Sequence, residues 1–291
     1  MGTYTLKQLG NITGINGDTI RVWEKRYGIL TPQRTSTNRR KYDDDDLRKL
    51  LNISILYKHG YKISRIAAMK KKDINGIVTS IDSSDVDFEL IIALFISAMN
   101  DFNEPVINEL ITKTIQEKGF ENAFTNVLFP LLKKVGTLWS TGSLNVSTEH
   151  FLTAIIRRKL IVEIDKVMPQ KIKRIKKFLL FLPESEHHEL GLLFYSYIII
   201  KNGHSVLYLG QSTPDDAVCE AIQKWNPGFV VTGILSELYL PGLQGLLKRL
   251  DRMPHEFIIL AGGRLADVAV KLKHKNIYPL RTEKDLLQYL H

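Results

Sequence analysis

From Phe178 onward the apolar residues form short uninterrupted runs separated by helix-length stretches, and this pattern constrains the fold most. Phe178–Leu182 is such a run and is ended by Pro183, as expected for a strand buried on both faces of a parallel sheet. Further runs of this kind follow at 206–209, 229–232, 257–261 and 277–279. The alternation predicts a doubly wound, Rossmann-like α/β domain over residues 175–291. Ligands of such domains bind at the carboxyl ends of the strands.

The preceding residues have a helical period instead. About four helical segments between 88 and 168 predict a compact four-helix bundle over residues 80–170.

Cys219 is the only cysteine, which excludes disulfides, thiolate zinc sites and CxxC redox chemistry. No run of ~18 apolar residues and no secretory signal are visible. We therefore expect a cytoplasmic protein without membrane contact.

Basic charge is concentrated at the N-terminal end of the chain. Residues 1–80 contain 16 Lys and Arg against 7 Asp and Glu, whereas residues 81–291 contain 24 of each. An exposed lysine-rich terminus would have this charge, but the asymmetry favours a nucleic-acid-binding end joined to a neutral module.

Two short helical patterns joined by a glycine-containing turn begin the chain. Residues 5–9 precede the turn at 13–16, and Ile20–Tyr27 follow it with one apolar face, which predicts a helix-turn-helix unit. Arg34–Tyr42 is short, polar and basic, as expected for a hairpin wing that lies along phosphates. Asp43–Asp46 follow directly and are interpreted as the N-terminal cap of the next helix.

The order and spacing of these motifs over about residues 3–70 resemble the MerR family of winged-helix regulators. The resemblance implies a winged helix-turn-helix domain over residues 1–75 that binds double-stranded operator DNA as a dimer. The candidate DNA contacts are Arg21, Lys25, Arg39 and Arg40.

Polar and glycine-rich segments follow the predicted strands of the C-terminal domain, at 186–191, 210–213, 233–238 and 262–263. A nucleotide pocket is disfavoured because neither GxGxxG nor GxxxxGK[ST] follows the first strand. A zinc site is disfavoured because His187 and His188 lack the HExxH spacing. Taken alone, these two histidines are more typical of a solvent-exposed loop than of a ligand-binding site.

The combined pattern resembles the cobalamin-binding domain shared by methionine synthase and the mutases. Glu186-x-His188-x-x-Gly191 matches the family motif, with Glu186 in the place of the usual Asp. The resemblance implies that His188 is the lower axial ligand of cobalt and that Glu186 orients its second nitrogen. The residues implied to line the slot for the nucleotide tail are Ser236, Leu238, Gly262 and Gly263.

The helical segment extends the resemblance to the CarH/LitR type of light-sensing MerR regulators. Trp139 is followed, after nine residues, by Glu149-His150, in the order found in that family. A tryptophan near a helix end is more often plain core, but the resemblance implies that it covers the upper adenosyl group. The residues implied to surround that group are Val146, Glu149 and His150. This chain has Ser140 where a family histidine follows the tryptophan.

The resulting hypothesis is a light-responsive, DNA-binding transcriptional regulator rather than an enzyme. Adenosylcobalamin would support an assembled homo-oligomer, a dimer or tetramer, that represses in the dark and releases DNA on illumination. A corrinoid methyl-transfer protein is the first alternative, although no residues remain for a substrate-activating barrel of ~250 residues. The second alternative is a MerR-type regulator whose cobalamin fold serves only protein contacts.

Overall fold

A computed structural model describes residues 3–35, 38–80, 88–168, 176–235, 240–254, 256–272 and 276–290. The chain divides into two compact units, residues 1–155 and residues 156–291. The division into three domains at about residues 75–80 and 170–175 stays a prediction.

The first unit begins with the helix-turn-helix expected from the sequence. Helix α1 spans Leu6–Thr13 and helix α2 spans Gly17–Tyr27. Thr5 and Gln8 form a reciprocal capping box at the start of α1, which satisfies backbone amides that have no partner within the helix. Gly14 ends α1 in the left-handed conformation, at φ 72°.

A two-stranded wing and three helices follow. Strands β1 (Gln33–Arg34) and β2 (Arg40–Lys41) pair antiparallel. Helices α3 (Asp44–Lys58), α4 (Ile63–Ala68) and α5 (Lys71–Ser80) complete this part. Asp43 caps α3 and forms a capping box with Asp46, which confirms the interpretation of the acidic run as a helix start.

Four long helical segments follow, and the last of them continues past residue 155 into the second unit. They are α6 (Phe88–Asn100), α7 (Glu104–Lys118), a segment formed by α8 (Phe120–Ala123) with α9 (Phe129–Ser140), and α10 (Val146–Val167). A π-helical turn, Phe124–Leu128, joins α8 to α9. Pro130 lies in the first turn of α9 and lacks the amide hydrogen that an uninterrupted α-helix requires, which accounts for the turn.

The second unit is a five-stranded, wholly parallel sheet with strand order β4-β3-β5-β6-β7. The strands are β3 (Lys177–Pro183), β4 (Ser205–Thr213), β5 (Phe229–Ile234), β6 (Ile258–Gly263) and β7 (Ile277–Leu280). The helices are α11 (Leu190–Lys201), α12 (Asp215–Trp225), α13 (Leu240–Asp251), α14 (Arg264–Leu272) and α15 (Glu283–Leu287). This topology confirms the predicted doubly wound α/β fold.

Strand β4 is longer than the sequence predicts. The segment 210–213, expected to follow the strand, continues it through a shift in register at which Phe181 pairs with Gly210. Gly210 has φ 88° and accommodates the irregularity without the strain that a Cβ atom would cause. Among the described helices, none is both long and apolar enough to cross a bilayer.

Candidate functional site

His188 lies in the loop between β3 and α11, beside a buried carboxylate. Glu186 is only 1% exposed. Its Oε1 accepts a hydrogen bond from the backbone amide of His188 at 3.0 Å and lies 2.5 Å from His188 Nδ1. Two contacts to the same residue fix both the backbone and the ring of His188.

Neighbouring strands hold Glu186 in turn. Its Oε2 accepts from the amide of Leu235, just after β5, at 2.8 Å. Its backbone carbonyl accepts from the amide of Ser212 in β4 at 3.0 Å. The longer Glu side chain thus reaches the same histidine that an Asp serves in the cobalamin-binding motif, and the loop is anchored to both flanking strands.

This arrangement determines which nitrogen of His188 can bind a metal. For Nδ1 to donate to the Glu186 carboxylate it must carry the proton, and a neutral imidazole then has its lone pair on Nε2. A carboxylate behind the ring also raises the basicity of a histidine ligand. The side chain is 63% exposed, so the ring is accessible to a large planar group such as a corrin. His188 therefore fits the role of an axial ligand to cobalt.

A second buried carboxylate follows His188 directly. Glu189, whose side chain is 7% exposed, lies 2.5 Å from the Nε atom of Arg157 in α10 and accepts from the Tyr208 hydroxyl at 2.9 Å. Burial raises the pKa of Tyr208 above its usual range, and the Glu189 charge adds to the effect. Sequence reasoning missed these three residues, because no spacing relates Arg157 or Tyr208 to the histidine motif.

Glycines at the ends of β5 and β6 bring two backbones close together. Gly233 pairs with Gly262, and a Cβ atom built on Gly233 would lie 3.4 Å from the Gly262 carbonyl. Gly263 has φ +60°, and its Cβ atom would lie 2.5 Å from the Ile234 carbonyl. At Gly263 only glycine fits, because the backbone of β5 occupies the space that a side chain would need. At Gly191 a Cβ atom would meet no atom within 4 Å.

Two members of the expected slot, Ser236 and Leu238, lie outside the described residues. Leu235, immediately before them, is 52% exposed. The predicted role of Ser236 and Leu238 in binding a nucleotide tail stays a prediction.

The helical unit exposes the tryptophan that the sequence singled out. Trp139, in the last turn of α9, is 49% exposed, so the alternative that it is plain core is wrong. Val146 is 42% exposed and the His150 side chain 75%, both in the first turns of α10. Glu149 accepts from the Thr153 hydroxyl at 2.7 Å. Large apolar side chains exposed next to polar ones are typical of a ligand-binding surface.

The turn between Trp139 and Val146 also contacts the helix-turn-helix. The Gly142 carbonyl in this turn accepts a hydrogen bond from Gln8 Nε2 of α1 at 2.6 Å. Ser140 donates to the Thr137 carbonyl of its own helix at 2.9 Å.

The candidate DNA contacts differ in how they are held. Arg21 is paired with Asp18 at 2.9 Å on the exposed side of α2. Arg40 in the wing donates from Nε to Glu24 at 3.0 Å, so it also fixes the wing to α2. Lys25 and Arg39 are exposed on α2 and in the wing, respectively. Contact of all four candidates with DNA stays a prediction.

Comparison with known families agrees with this geometry. Residues 4–73 match the "MerR HTH family regulatory protein" family, which corresponds to the helix-turn-helix and wing. Residues 91–162 match the "B12 binding domain" family, and this match falls on the helices that carry Trp139, Val146, Glu149 and His150.

Two curated relatives cover most of the chain. It is 26% identical to the HTH-type transcriptional repressor CarH of Myxococcus xanthus, over 91% of this chain and 90% of that protein. It is 24% identical to the repressor CarA of the same organism, over 90% of this chain and 86% of that protein. These relatives are transcriptional repressors, in agreement with a regulator rather than an enzyme.

A solved structure supports the fold. The Methanosarcina barkeri monomethylamine corrinoid protein superposes with a TM-score of 0.55 at 16% identity, over 66% of this chain and 92% of that one. At this identity the likeness extends to the fold alone.

Proposed function

We propose that this chain, which joins a MerR-type helix-turn-helix to a B12-binding domain and is homologous to CarH and CarA, is a cytoplasmic transcriptional repressor that binds adenosylcobalamin and responds to light. The observation that carries the proposal is the Glu186–His188 pair at the carboxyl edge of the parallel sheet. An imidazole nitrogen is a ligand that suits cobalt, and His188 would supply it to a bound cobalamin.

The residues divide into two groups around the cofactor. His188 would bind the cobalt, and the backbone of Gly262 and Gly263, together with Ser236 and Leu238, would hold the nucleotide tail of the cofactor. Gly191, where a Cβ atom would meet no protein atom, lets the start of α11 approach the tail. Trp139 covers the upper ligand, which explains why so large an apolar side chain is exposed in the protein alone.

The other proposed residues around the upper ligand determine which upper ligand of the cofactor is preferred. Val146 adds apolar contact, and the Glu149 carboxylate accepts hydrogen bonds from the ribose hydroxyls of an adenosyl group. His150 lies beside this carboxylate, with 3.7 Å between its Nδ1 and Glu149 Oε2. A methyl group offers no hydroxyls to this carboxylate, so the pocket favours adenosyl over methyl. When bound, adenosylcobalamin supplies a cobalt–carbon bond that light cleaves. Trp139 and Glu149 would hold the adenosyl group of the intact cofactor.

The affinity for DNA depends on how many helix-turn-helix units of the oligomer bind at the same time. In the dark, the filled site favours a dimer or tetramer whose helix-turn-helix units bind the operator simultaneously, and multivalency raises affinity without a new base contact. Loss of the adenosyl contacts shifts the population toward a form that binds DNA weakly. Arg21, Lys25, Arg39 and Arg40 supply the charges toward the phosphates.

An absorbance experiment tests the proposal. The protein is incubated with adenosylcobalamin in the dark, desalted, and its spectrum is recorded before and after green light. We expect a retained corrin spectrum that changes on illumination and loses its axial nitrogen signature in His188→Ala. His187→Ala, at the exposed neighbouring histidine, is the matched control and should behave like the wild type.

Three other results would each contradict part of the proposal. A retained but light-indifferent corrin indicates a cobalamin sensor without photochemistry. If the protein retains no corrin, the proposed cofactor role is contradicted and only the proposed DNA-binding role of the helix-turn-helix remains. Operator affinity that is the same with and without the cofactor, and in dark and light, excludes the coupling between the cofactor and DNA.

A further inference from the structure

Two buried carboxylates flank His188, and only one of them belongs to the motif that marks the site. Glu186 precedes the histidine by two residues and contacts its ring and backbone. Glu189 follows it directly, at the N-terminal cap of α11, and its amide donates to the His187 carbonyl at 2.9 Å. The short stretch that carries the ligand is thus held at both ends.

The contacts of Glu189 come from elements distant in sequence. Arg157 in α10 lies 32 residues before Glu189, and Tyr208 in β4 lies 19 residues after it. The distances are 2.5 Å to Arg157 Nε and 2.9 Å to the Tyr208 hydroxyl. Hydrogen bonds to a buried, charged acceptor are stronger than those between neutral groups, and loss of either donor leaves the carboxylate poorly compensated.

Helix α10 also carries residues of the upper pocket. Glu149, Thr153 and Arg157 follow each other at intervals of four residues, so they lie along one side of the helix. Thr153 donates to Glu149 at 2.7 Å, and Arg157 contacts Glu189 one turn further on. Arg157 thus joins Glu189 to the helix that also carries Glu149.

We propose that Arg157, Glu189 and Tyr208 form a positioning network that holds the His188 loop ready for ligation and couples it to α10. This inference rests on the proposed function. The network does not touch cobalt; it determines how large a fraction of the bound cofactor is ligated by His188. Its loss should release His188 from the metal without preventing folding.

Electron paramagnetic resonance of the protein loaded with cob(II)alamin measures this fraction. An axial nitrogen splits the cobalt lines into triplets when it is nitrogen-14 and into doublets when it is nitrogen-15. Protein grown with nitrogen-15 histidine gives doublets only where a protein histidine is the ligand, because the cofactor's own benzimidazole keeps nitrogen-14. The wild type should give doublets, and His188→Ala should give none.

The variants are Glu189→Gln, Arg157→Gln and Tyr208→Phe. In Glu189→Gln and Arg157→Gln the ratio of histidine-ligated to unligated cobalt should fall by about tenfold or more, as expected for a lost hydrogen bond to a charged group. Tyr208→Phe should change it in the same direction. Arg249→Gln is the matched control, because Arg249 pairs with Asp216 at 2.6 Å in the same unit and its side chain is equally exposed, at 48%.

The outcomes separate this inference from the function it rests on. Full doublet intensity in both Glu189→Gln and Arg157→Gln overturns the network. A wild type without doublets overturns the role of His188 and the network with it. If Glu189→Gln does not fold, Arg157→Gln decides, since this arginine is half-exposed and its replacement leaves the core unchanged.

Discussion

Arg40 in the wing and Glu24 in α2 form an ion pair, with 3.0 Å between Nε and Oε1. The second oxygen of Glu24 accepts from the Tyr42 hydroxyl at 2.9 Å. The Glu24 side chain is only 14% exposed, whereas Arg40 is 35% exposed. A single carboxylate therefore fixes the position of the wing relative to α2.

Replacement of Glu24 by Gln should weaken DNA binding without removing any basic residue. The neutral amide loses the ion pair, so the free energy of unfolding should fall by about 1–3 kcal/mol. Operator affinity should fall on the order of tenfold because the wing is no longer fixed. Thermal unfolding and fluorescence anisotropy with labelled operator measure the two effects. Glu220→Gln, at an exposed ion pair with Lys224, should change neither. Unaltered operator affinity in Glu24→Gln would show that the wing needs no such anchor.

Trp139→Ala should separate ligand binding from stability. Because Trp139 is half-exposed, the free energy of unfolding of the cofactor-free protein should fall by about 1 kcal/mol or less. Retention of adenosylcobalamin after desalting should fall strongly. The neighbouring Leu138 is 3% exposed, and Leu138→Ala should cost about 2–5 kcal/mol in an unfolding experiment. If Trp139→Ala retained the cofactor as the wild type does, the tryptophan would have no part in the upper site.

Gly263→Ala should destabilise the second unit through its backbone. At φ +60° any Cβ atom is strained, and here it would lie 2.5 Å from the Ile234 carbonyl. We expect the free energy of unfolding to fall by at least ~1–2 kcal/mol. Gly245→Ala in α13, where a Cβ atom meets nothing within 4 Å, should be neutral or stabilise by up to ~1 kcal/mol. Urea unfolding followed by circular dichroism gives both values, and equal effects of the two substitutions would be incompatible with this geometry.

Alkaline pH should destabilise the second unit through Tyr195. Burial raises the pKa of this tyrosine to about 12, and Asp285 and Glu283 act in the same direction. The folded state then binds its proton more tightly than the unfolded state, whose pKa is ~10. The contribution of Tyr195 to the free energy of unfolding is thus fully present below about pH 10. It is lost as the pH rises toward 12, by at most ~1.4 kcal/mol per pH unit.

Urea midpoints at intervals between pH 9 and pH 12 check this dependence. Tyr195→Phe should have a shallower loss of stability than the wild type over the same interval. Tyr278→Phe, at a tyrosine that is 42% exposed, serves as the control and should keep the wild-type slope. An identical slope in all three proteins would exclude Tyr195 as the source.

The elements of the fold were predictable wherever one short segment carries the whole signal. The apolar run after Lys177 sufficed to predict β3, and the four aspartates sufficed to predict the start of α3. The contact between Glu186 and His188 followed from the resemblance to the cobalamin-binding motif, whose residues lie in one loop. In each case the physical cause and the pattern lie within the same few residues.

The features that were not predicted from the sequence depend on contacts between distant segments. Arg157 and Glu189 are 32 residues apart in different elements, so no local pattern relates them. The exposure of Trp139 was not evident either, since an apolar residue at the end of an amphipathic helix can face the core or a ligand. Likewise, β4 continues through the segment 210–213 because it pairs with β3, and a sequence shows no pairing partner directly.

The hydrogen bond from Gln8 to the Gly142 carbonyl has a thermodynamic consequence. It joins α1 of the DNA-binding head to the turn that follows Trp139, so a ligand that repositions this turn also acts on the head. Linkage is reciprocal: if the cofactor raises operator affinity by a given factor, the operator must raise cofactor affinity by the same factor. Under the proposed function, the operator is then itself an effector of cofactor binding, and the protein on its DNA should hold adenosylcobalamin more tightly than the protein free in solution.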